Sequence, residues 1–438
     1  MPIRRYRYSR WRWRVLVRLL DTAGGLAARI GRWVRPPVRV ESPQRILVVQ
    51  LDHLGDAVLS TPLFPRLREA YPEARIDVLA SASNRAFIEA DPHVDRVHVA
   101  ERNWFERRPG GRAILSAAWQ LGRRLRAEGY DLGIDVRGDV LSVLVLALAG
   151  IPRRVGWAMG GGGFLLSDVA EWDPMRHEVL SRMALLAQLG LSSDPPARLS
   201  AHVRDRDRAR VARLLREAWP ERPPPRLGTR KVAVGTGRTA ASPSPLSPLP
   251  DDCDEADRLH AGRFGDEAPL LAVHLGAGTA AKRWPLRHWE RLVGRFLADG
   301  WRAVIVGGPE DAEAGLSLPP HPSLRDWTGR LAVTETAALL ERADLFLGSD
   351  SAPAHLASCA GVTSVVLFSG TNRVRQWRPW SRRSLVLRNK VSCRPCHHKS
   401  CPLAGHPCMS GLDPDRVYRA AKRWLARTHG TESPHAPL

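Results

Sequence analysis

The chain alternates short, continuously apolar runs with longer stretches whose apolar residues return every three to four positions. Ile46, Leu47, Val48 and Val49, closed by Gln50, form a run of strand length, and an unbroken apolar run of that length suits a strand buried on both faces. Similar runs predict strands over 76–79, 96–99, 132–136 and 154–157, with helices between them near 84–90, 112–128 and 139–149 and two more over 176–189 and 205–218. Thr61-Pro62 opens the helix that carries Leu63, Leu67 and Ala70, which leaves 51–56 as a loop. The pattern stops over 220–268, where Pro223-Pro224-Pro225 and alternating Ser and Pro over 242–248 read as a flexible insertion. It then resumes with strands at 271–275, 303–306, 345–347, 363–368 and 385–387, an amphipathic helix over 285–297 and a closing helix from Asp413-Pro414 to about Leu425. Strand and helix alternating in this way predict a parallel sheet covered by helices on both faces, and here they do so twice. The predicted organisation is a basic amphipathic segment (1–40), a first α/β domain (41–219), the insertion (220–268), a second α/β domain (269–428) and a tail (429–438).

Charge changes the picture at one end. The formal net charge is +21, and of 66 basic residues only five are lysine. A bias toward arginine weakens any step from basicity to nucleic acid, so the distribution carries more information. Residues 1–40 hold eleven arginines and one acid, Asp21. Trp11, Val15, Leu19, Leu26, Ile30 and Trp33 recur near helical spacing among them. A basic amphipathic helix of this kind suits the headgroup region of an anionic bilayer, and residues 3–35 are read as an interfacial anchor. The competing readings are a solvated basic tail, a helix packed on the body, or an aromatic platform for single-stranded nucleic acid; Gly24-Gly25 is a point where the helix can break. The longest apolar run, 140–149, is far short of the roughly 20 residues that span a bilayer. Residues 15–20 are too short and too interrupted by Arg18 for a secretory signal. The expected location is the cytoplasm, peripheral at the inner face of the cytoplasmic membrane.

The polar chemistry lies at strand ends. Gly276-Ala277-Gly278-Thr279 is followed by Lys282, and glycines that let backbone amides approach an anion beside a compact cation suit a phosphate. Gly348 turns the chain before Asp350 and Ser351, both good N-caps, with Pro353 in the first turn, His355 beyond and Gly361 as the stop. A carboxylate, a hydroxyl and an imidazole thus meet a helix N-terminus, although helix capping and a core histidine would account for the same residues. Asp56, after Gly55, is placed to accept a proton from an attacking hydroxyl, or to cap the next helix. Cys393, Cys396, Cys401 and Cys408 have the spacing of a small structural zinc site; metal-free thiols are the alternative. Asp-x-Asp occurs at Asp205, Asp252 and Asp413, at a helix start, in the insertion and at a cap, so no catalytic metal is expected.

Together these motifs resemble glycosyltransferase family 9, the lipopolysaccharide heptosyltransferases. The resemblance rests on Leu54-Gly55-Asp56 with Thr61-Pro62, on Lys282-Arg283-Trp284-Pro285 with His288-Trp289, and on Gly348 to Ala357, where Ala352 replaces the family's usual glycine. It implies a GT-B fold, two Rossmann-like domains facing across a cleft, acting on a nucleotide sugar, usually ADP-heptose, and a lipid-linked glycan acceptor. By the same resemblance Asp56 is the general base. Lys282 with the loop of Gly276, Gly278 and Thr279 holds the leaving diphosphate, and Gly348, Asp350, Ser351 and His355 shape the donor site. Glu310, or Asp311 beside it, meets the donor ribose. The reaction would be inverting, with no cofactor required for catalysis and no nucleic-acid partner. The alternatives are a family member using another nucleotide sugar, or a non-catalytic basic protein that binds membrane or nucleic acid.

Overall fold

The computed structural model describes residues 11–34, 40–100, 111–194, 198–220, 268–313 and 317–430. Residues 1–10, 221–267 of the expected insertion and 431–438 of the expected tail lie outside the described residues.

Two six-stranded sheets form, and every pair in both is parallel. The first contains β1 (Arg45–Gln50), β2 (Arg75–Ala80), β3 (Arg96–Val99), β4 (Leu132–Asp135), β5 (Arg153–Trp157) and β6 (Asp168–Ala170) in the order 3-2-1-4-5-6. The second contains β7 (Leu270–His274), β8 (Arg302–Ile305), β9 (Leu324–Asp326), β10 (Leu345–Ser349), β11 (Thr363–Phe368) and β12 (Ser384–Arg388), ordered 12-11-10-7-8-9. Counted from its own first strand, the second sheet has the same topology as the first. In such sheets the chain reverses its winding between the first and fourth strands, and the crevice beyond their carboxyl ends is the natural ligand site. Strands β7, β10 and β11 are buried throughout, which is why they read as unbroken apolar runs.

Several helices depart from the sequence reading. The expected loop over 51–56 is helical from Leu54: α2 (Leu54–Ser60) and α3 (Leu63–Ala70) are separate. Pro62 lacks the N–H that would continue one into the other, and the Thr61 hydroxyl turns back to the Val58 carbonyl at 2.8 Å. The edge strands β6 and β9 are three residues long, too short to show a period. The helix Val333–Arg342 escaped notice because threonine and alanine line much of its buried face.

The helix Asp205–Ala218, placed with the first domain by sequence order, packs on the second sheet. Its Val211 shares a core with Leu270, Val304, Trp327 and Leu339. The chain thus crosses between lobes just before Asp205. A further core runs across the lobe boundary, where Ala57 and Val58 of α2 join Ala354, Leu356 and Ala357 of the helix Ala352–Ala360. Hydrogen bonds from Gln376 to Glu178 (2.7 Å) and between His177 Nε2 and the Arg378 carbonyl (2.8 Å) add to this contact.

The N-terminal helix (Trp11–Val34) is continuous through Gly24-Gly25. Val17 is buried, Gly24 lies against the Phe164 ring, and Asp21 accepts the Gly162 N–H at 2.7 Å. One face is therefore docked on the first lobe, while Trp11, Val15, Leu19, Leu20 and Leu26 stay exposed.

Candidate functional site

The carboxyl ends of β1 and β4 supply one wall. His53 is the N-cap of α2 and makes no side-chain cap, so Asp56 sits in the first helical turn and is not the cap itself. Its Oδ1 accepts from Arg182 Nη2 at 3.1 Å. Arg182 comes from the helix Glu178–Ala187 and is 2% exposed; it also donates to Glu178 Oε2 at 2.6 Å and to Ser60 Oγ at 2.8 Å. Burial pulls the pKa of this guanidinium down, but the surrounding carboxylates of Glu178, Asp56 and Asp52 outweigh it and hold it above the usual arginine range. Asp52 pairs with Arg137 at 2.7 Å. Arg137 is aimed there by a turn in which Asp135 accepts the N–H groups of Arg137 and Gly138. A cavity of about 190 Å³ opens here, lined by Asp52, His53, Asp56, Arg137, Trp172 and, from the other lobe, Trp377.

The carboxyl ends of β7 and β10 supply the opposite wall. Lys282 Nζ lies 2.8 Å from Asp350 Oδ2 and 3.2 Å from the Asp350 carbonyl, and Asn372 Nδ2 donates to the same Oδ2 at 2.8 Å. Ser351 Oγ meets His274 Nδ1 at 2.9 Å, and His274 Nε2 meets Asp311 Oδ2 at 3.0 Å. Burial pushes the Asp311 carboxyl up, yet the hydrogen bond and charge of His274 prevail and hold it below the usual value. Gly276 must be glycine, because a Cβ there would lie 1.9 Å from Asp311 Oδ1. Thr279 Oγ1 is shielded from solvent and has no hydrogen-bond partner, as a hydroxyl awaiting a ligand would be.

The two walls meet at His355, where a Cβ on Gly55 would lie 3.4 Å from His355 Cδ2 and 3.5 Å from Ala352 Cα. Burial lowers the His355 pKa to about 4, with Asp350 pulling upward and Lys282 and Arg182 reinforcing the fall. The ring is neutral at pH 7, and its Nδ1 is buried without a partner.

Asp56, Lys282, Asp350, Ser351, His355 and the Gly276–Thr279 loop therefore border one lobe boundary. Glu310 stands apart from this group, exposed over Gly308 on the surface of the short helix Pro309–Glu313, while its neighbour Asp311 is buried beneath the glycine loop. The four expected zinc ligands lie near one another, since burial and then the neighbouring Cys401, Cys393 and Cys396 raise the Cys408 pKa, but they are not drawn into a ligand shell. Cys393 is exposed, Cys396 and Cys401 half-buried and Cys408 buried. A tetrahedral zinc thiolate site needs sulfurs about 3.8 Å apart. Among the described residues no three of these thiols come within 4.8 Å of one another. The segment also braces the turn after the Gly276–Thr279 loop: Ala281 N–H donates to the Lys399 carbonyl at 2.9 Å, and His406 Nε2 lies 3.0 Å from the Ala281 carbonyl.

Arg182, Glu178, Asn372 and the His274–Asp311 pair were not singled out together by sequence reasoning. Two of them left a trace. Arg182 is a charge beside the buried stripe of Val179, Met183 and Leu186, and His274 is the polar end of an otherwise apolar strand.

The family described as "Glycosyltransferase family 9 (heptosyltransferase)" matches residues 118–225 and 239–406. Lipopolysaccharide heptosyltransferase 2 of Escherichia coli (strain K12) is 25% identical over 390 residues, spanning 85% of this chain and 96% of that protein. The solved structure of E. coli ADP-heptose lps heptosyltransferase II covers 88% of this chain and 100% of its own at 22% identity, with a TM-score of 0.62. E. coli heptosyltransferase WaaC with ADP-2-deoxy-2-fluoro heptose covers 86% and 99% at 17% identity, with a TM-score of 0.55. These likenesses show the two-lobed GT-B fold.

Proposed function

The chain belongs to glycosyltransferase family 9, and on that premise we propose that this sugar-transferring enzyme moves a heptose from ADP-heptose to a lipopolysaccharide core acceptor. The names of its relatives support the sugar and the acceptor class. One juxtaposition carries the reading: the carboxylate wall ending in Gly55-Asp56 abuts the His355 and Ala352 end of the wall that holds Lys282 and Asp350.

In this reading the acceptor enters the cavity beside Asp52, Asp56 and Trp172, and Asp56 Oδ takes the proton of its attacking hydroxyl. The new C–O bond forms on the anomeric carbon opposite the diphosphate, whose own C–O bond breaks as ADP leaves with the electron pair. Inversion follows from this in-line displacement. The developing charge on the diphosphate falls on Lys282, the Gly278 and Thr279 amides and the Thr279 hydroxyl, a fixed positive lining that serves without a metal ion. Lys282 would exchange its ion pair with Asp350 for a phosphate oxygen, which frees Asp350 for a sugar hydroxyl. Neutral His355 offers its unpartnered Nδ1 to the same sugar. The Ser351–His274–Asp311 chain keeps the Ser351 hydroxyl oriented.

The exposed apolar side chains of the N-terminal helix, with its basic sequence, support attachment to the inner face of the membrane. Among the described residues no helix is long and apolar enough to cross it.

Incubation with a panel of nucleotide sugars, with and without lipid A core acceptors, tests the reading through nucleoside diphosphate release. ADP-heptose should turn over only with acceptor present. Preference for another nucleotide sugar would replace the donor assignment, and no transfer from any would sink the proposal. Asp56→Asn should lower kcat by about 10²–10⁴-fold and leave ADP affinity unchanged.

A further inference from the structure

A second cluster lies away from the reaction. Asp91-Pro92-His93 forms a tight turn after the helix Arg85–Ile88 and before β3. That places it toward the amino ends of the strands, the opposite edge from the catalytic loops. Asp91 Oδ1 accepts the His93 backbone N–H at 3.0 Å and lies 2.8 Å from His93 Nδ1. From far along the chain, His202 brings Nε2 to 3.6 Å from the same oxygen, beyond hydrogen-bond reach. The two imidazole rings stand 5.8 Å apart, edge to face.

The group looks incomplete as it stands. Asp91 is 4% exposed, its Oδ2 is buried without a hydrogen-bond partner, and His202 Nε2 is likewise unpartnered. Among the described residues its ion-pair contacts are these two histidines, with no lysine or arginine. A buried carboxylate oxygen left unsatisfied is costly, and a cation among the three side chains would remove that cost. One ligand atom from each already lies within 4.8 Å of the others. A tetrahedral ion with bonds of about 2.0–2.1 Å needs them about 3.3 Å apart, so the 2.8 Å pair of Asp91 and His93 opens and the 3.6 Å pair of Asp91 and His202 closes as the two partly exposed histidine side chains rotate. Two imidazoles and a carboxylate suit zinc, with water in the fourth position.

We propose that Asp91, His93 and His202 bind a zinc ion that pins the interlobe linker to the first lobe. His202 occupies the crossing point. Ala201 before it packs on the core that includes the first lobe, and Val203 after it packs on the core of the second. Arg204 Nη2 adds a hydrogen bond to the Glu89 carbonyl at 3.1 Å. An ion held there fixes where the linker leaves the first lobe.

The test uses the full chain, stripped with chelator and titrated with Co²⁺ and Zn²⁺. Cobalt distinguishes this site from the cysteine segment, because thiolate ligands give intense near-ultraviolet charge-transfer bands that imidazole and carboxylate do not. One equivalent of Co²⁺ should bind without those bands, and Zn²⁺ should raise the Tm. His202→Ala should weaken binding at least about 100-fold, since even outer-shell changes cost 10–100-fold, and should abolish the Zn²⁺ shift. Its side chain is 31% exposed, so the metal-free variant should melt close to the parent; Asp91→Asn should repeat the loss. Cys393→Ser/Cys396→Ser should leave binding unchanged. Unaltered affinity in His202→Ala, thiolate bands alone, or no binding tighter than about 0.1 mM, roughly 5–6 kcal/mol, would each overturn the proposal.

Discussion

Arg182 is the residue whose removal tests most directly how the wall that carries Asp56 is built. At 2.6 Å from Glu178 and 3.1 Å from Asp56, and with an effective dielectric near 20, each attraction is roughly 5–6 kcal/mol before desolvation is subtracted. Desolvating a 2%-exposed guanidinium offsets several kcal/mol of that. Replacement by methionine preserves much of the volume but takes the buried guanidinium from two carboxylates, so Arg182→Met should cost about 3–5 kcal/mol. For a lobe of this size that corresponds to a fall of roughly 6–20 °C in Tm. Adding Glu178→Gln removes the half-buried charge that has lost its cation, and the double variant should therefore recover about 1–2 kcal/mol of the loss. Activity should fall in kcat more than in KM for the donor, because Asp56 loses the contact that aims it. Thermal and urea melts of parent, single and double variants, with initial rates on the folded fractions, measure all of this. A single variant within 1 kcal/mol of the parent, on the scale of an exposed pair, or a double less stable than the single, would refute the reasoning.

Acid should loosen the lobes. Burial lowers both His355 and His177 to about 4, against about 6.5 unfolded. The unfolded chain therefore takes up protons first, and the stability from these groups is full above pH 6.5 and is lost as pH falls toward 4. Each contributes on the order of 3 kcal/mol; His355→Gln should flatten the fall in Tm between those pH values by about half of the histidine part, and an unchanged slope would count against the assignment. On the N-terminal helix, Trp11, Leu19 and Leu20 are 67%, 64% and 59% exposed. Changing all three to serine should reduce sedimentation with anionic vesicles at least about tenfold, since burying even one such side chain supplies about 1.5–3 kcal/mol. Transfer to a soluble acceptor should be unchanged, and vesicle binding equal to the parent's would remove the anchor.

Much of the architecture was legible in the order of residues. Strands buried on both faces leave continuous apolar runs, and most amphipathic helices keep a 3.6-residue period, so β1, β7 and β11 and the helices Asp205–Ala218 and Leu286–Ala298 fall within a residue of their expected ends. The strand ends that carry Asp56, Lys282 and Asp350 were legible too, because glycine and capping residues mark where a strand gives way to the next element. Elements without a strong period were missed. The three-residue edge strands are too short to have one, and the threonine-rich face of Val333–Arg342 dilutes it. Asp56 was misread as a loop residue, since the break at Pro62 conceals a helix that has already begun.

Local order along the chain thus determined which segments become strand or helix and which loops carry charge, because backbone sterics and periodic burial act over a few residues. Only the folded molecule decided which charges meet. Asp56 and Arg182 are 126 positions apart and Lys282 and Asp350 68, while the His177 ring meets the Arg378 backbone carbonyl across 201. No propensity reaches that far: these contacts follow from two sheets with the same winding whose carboxyl ends border one boundary, and from low-dielectric burial that makes a distant opposite charge cheaper to find than to do without.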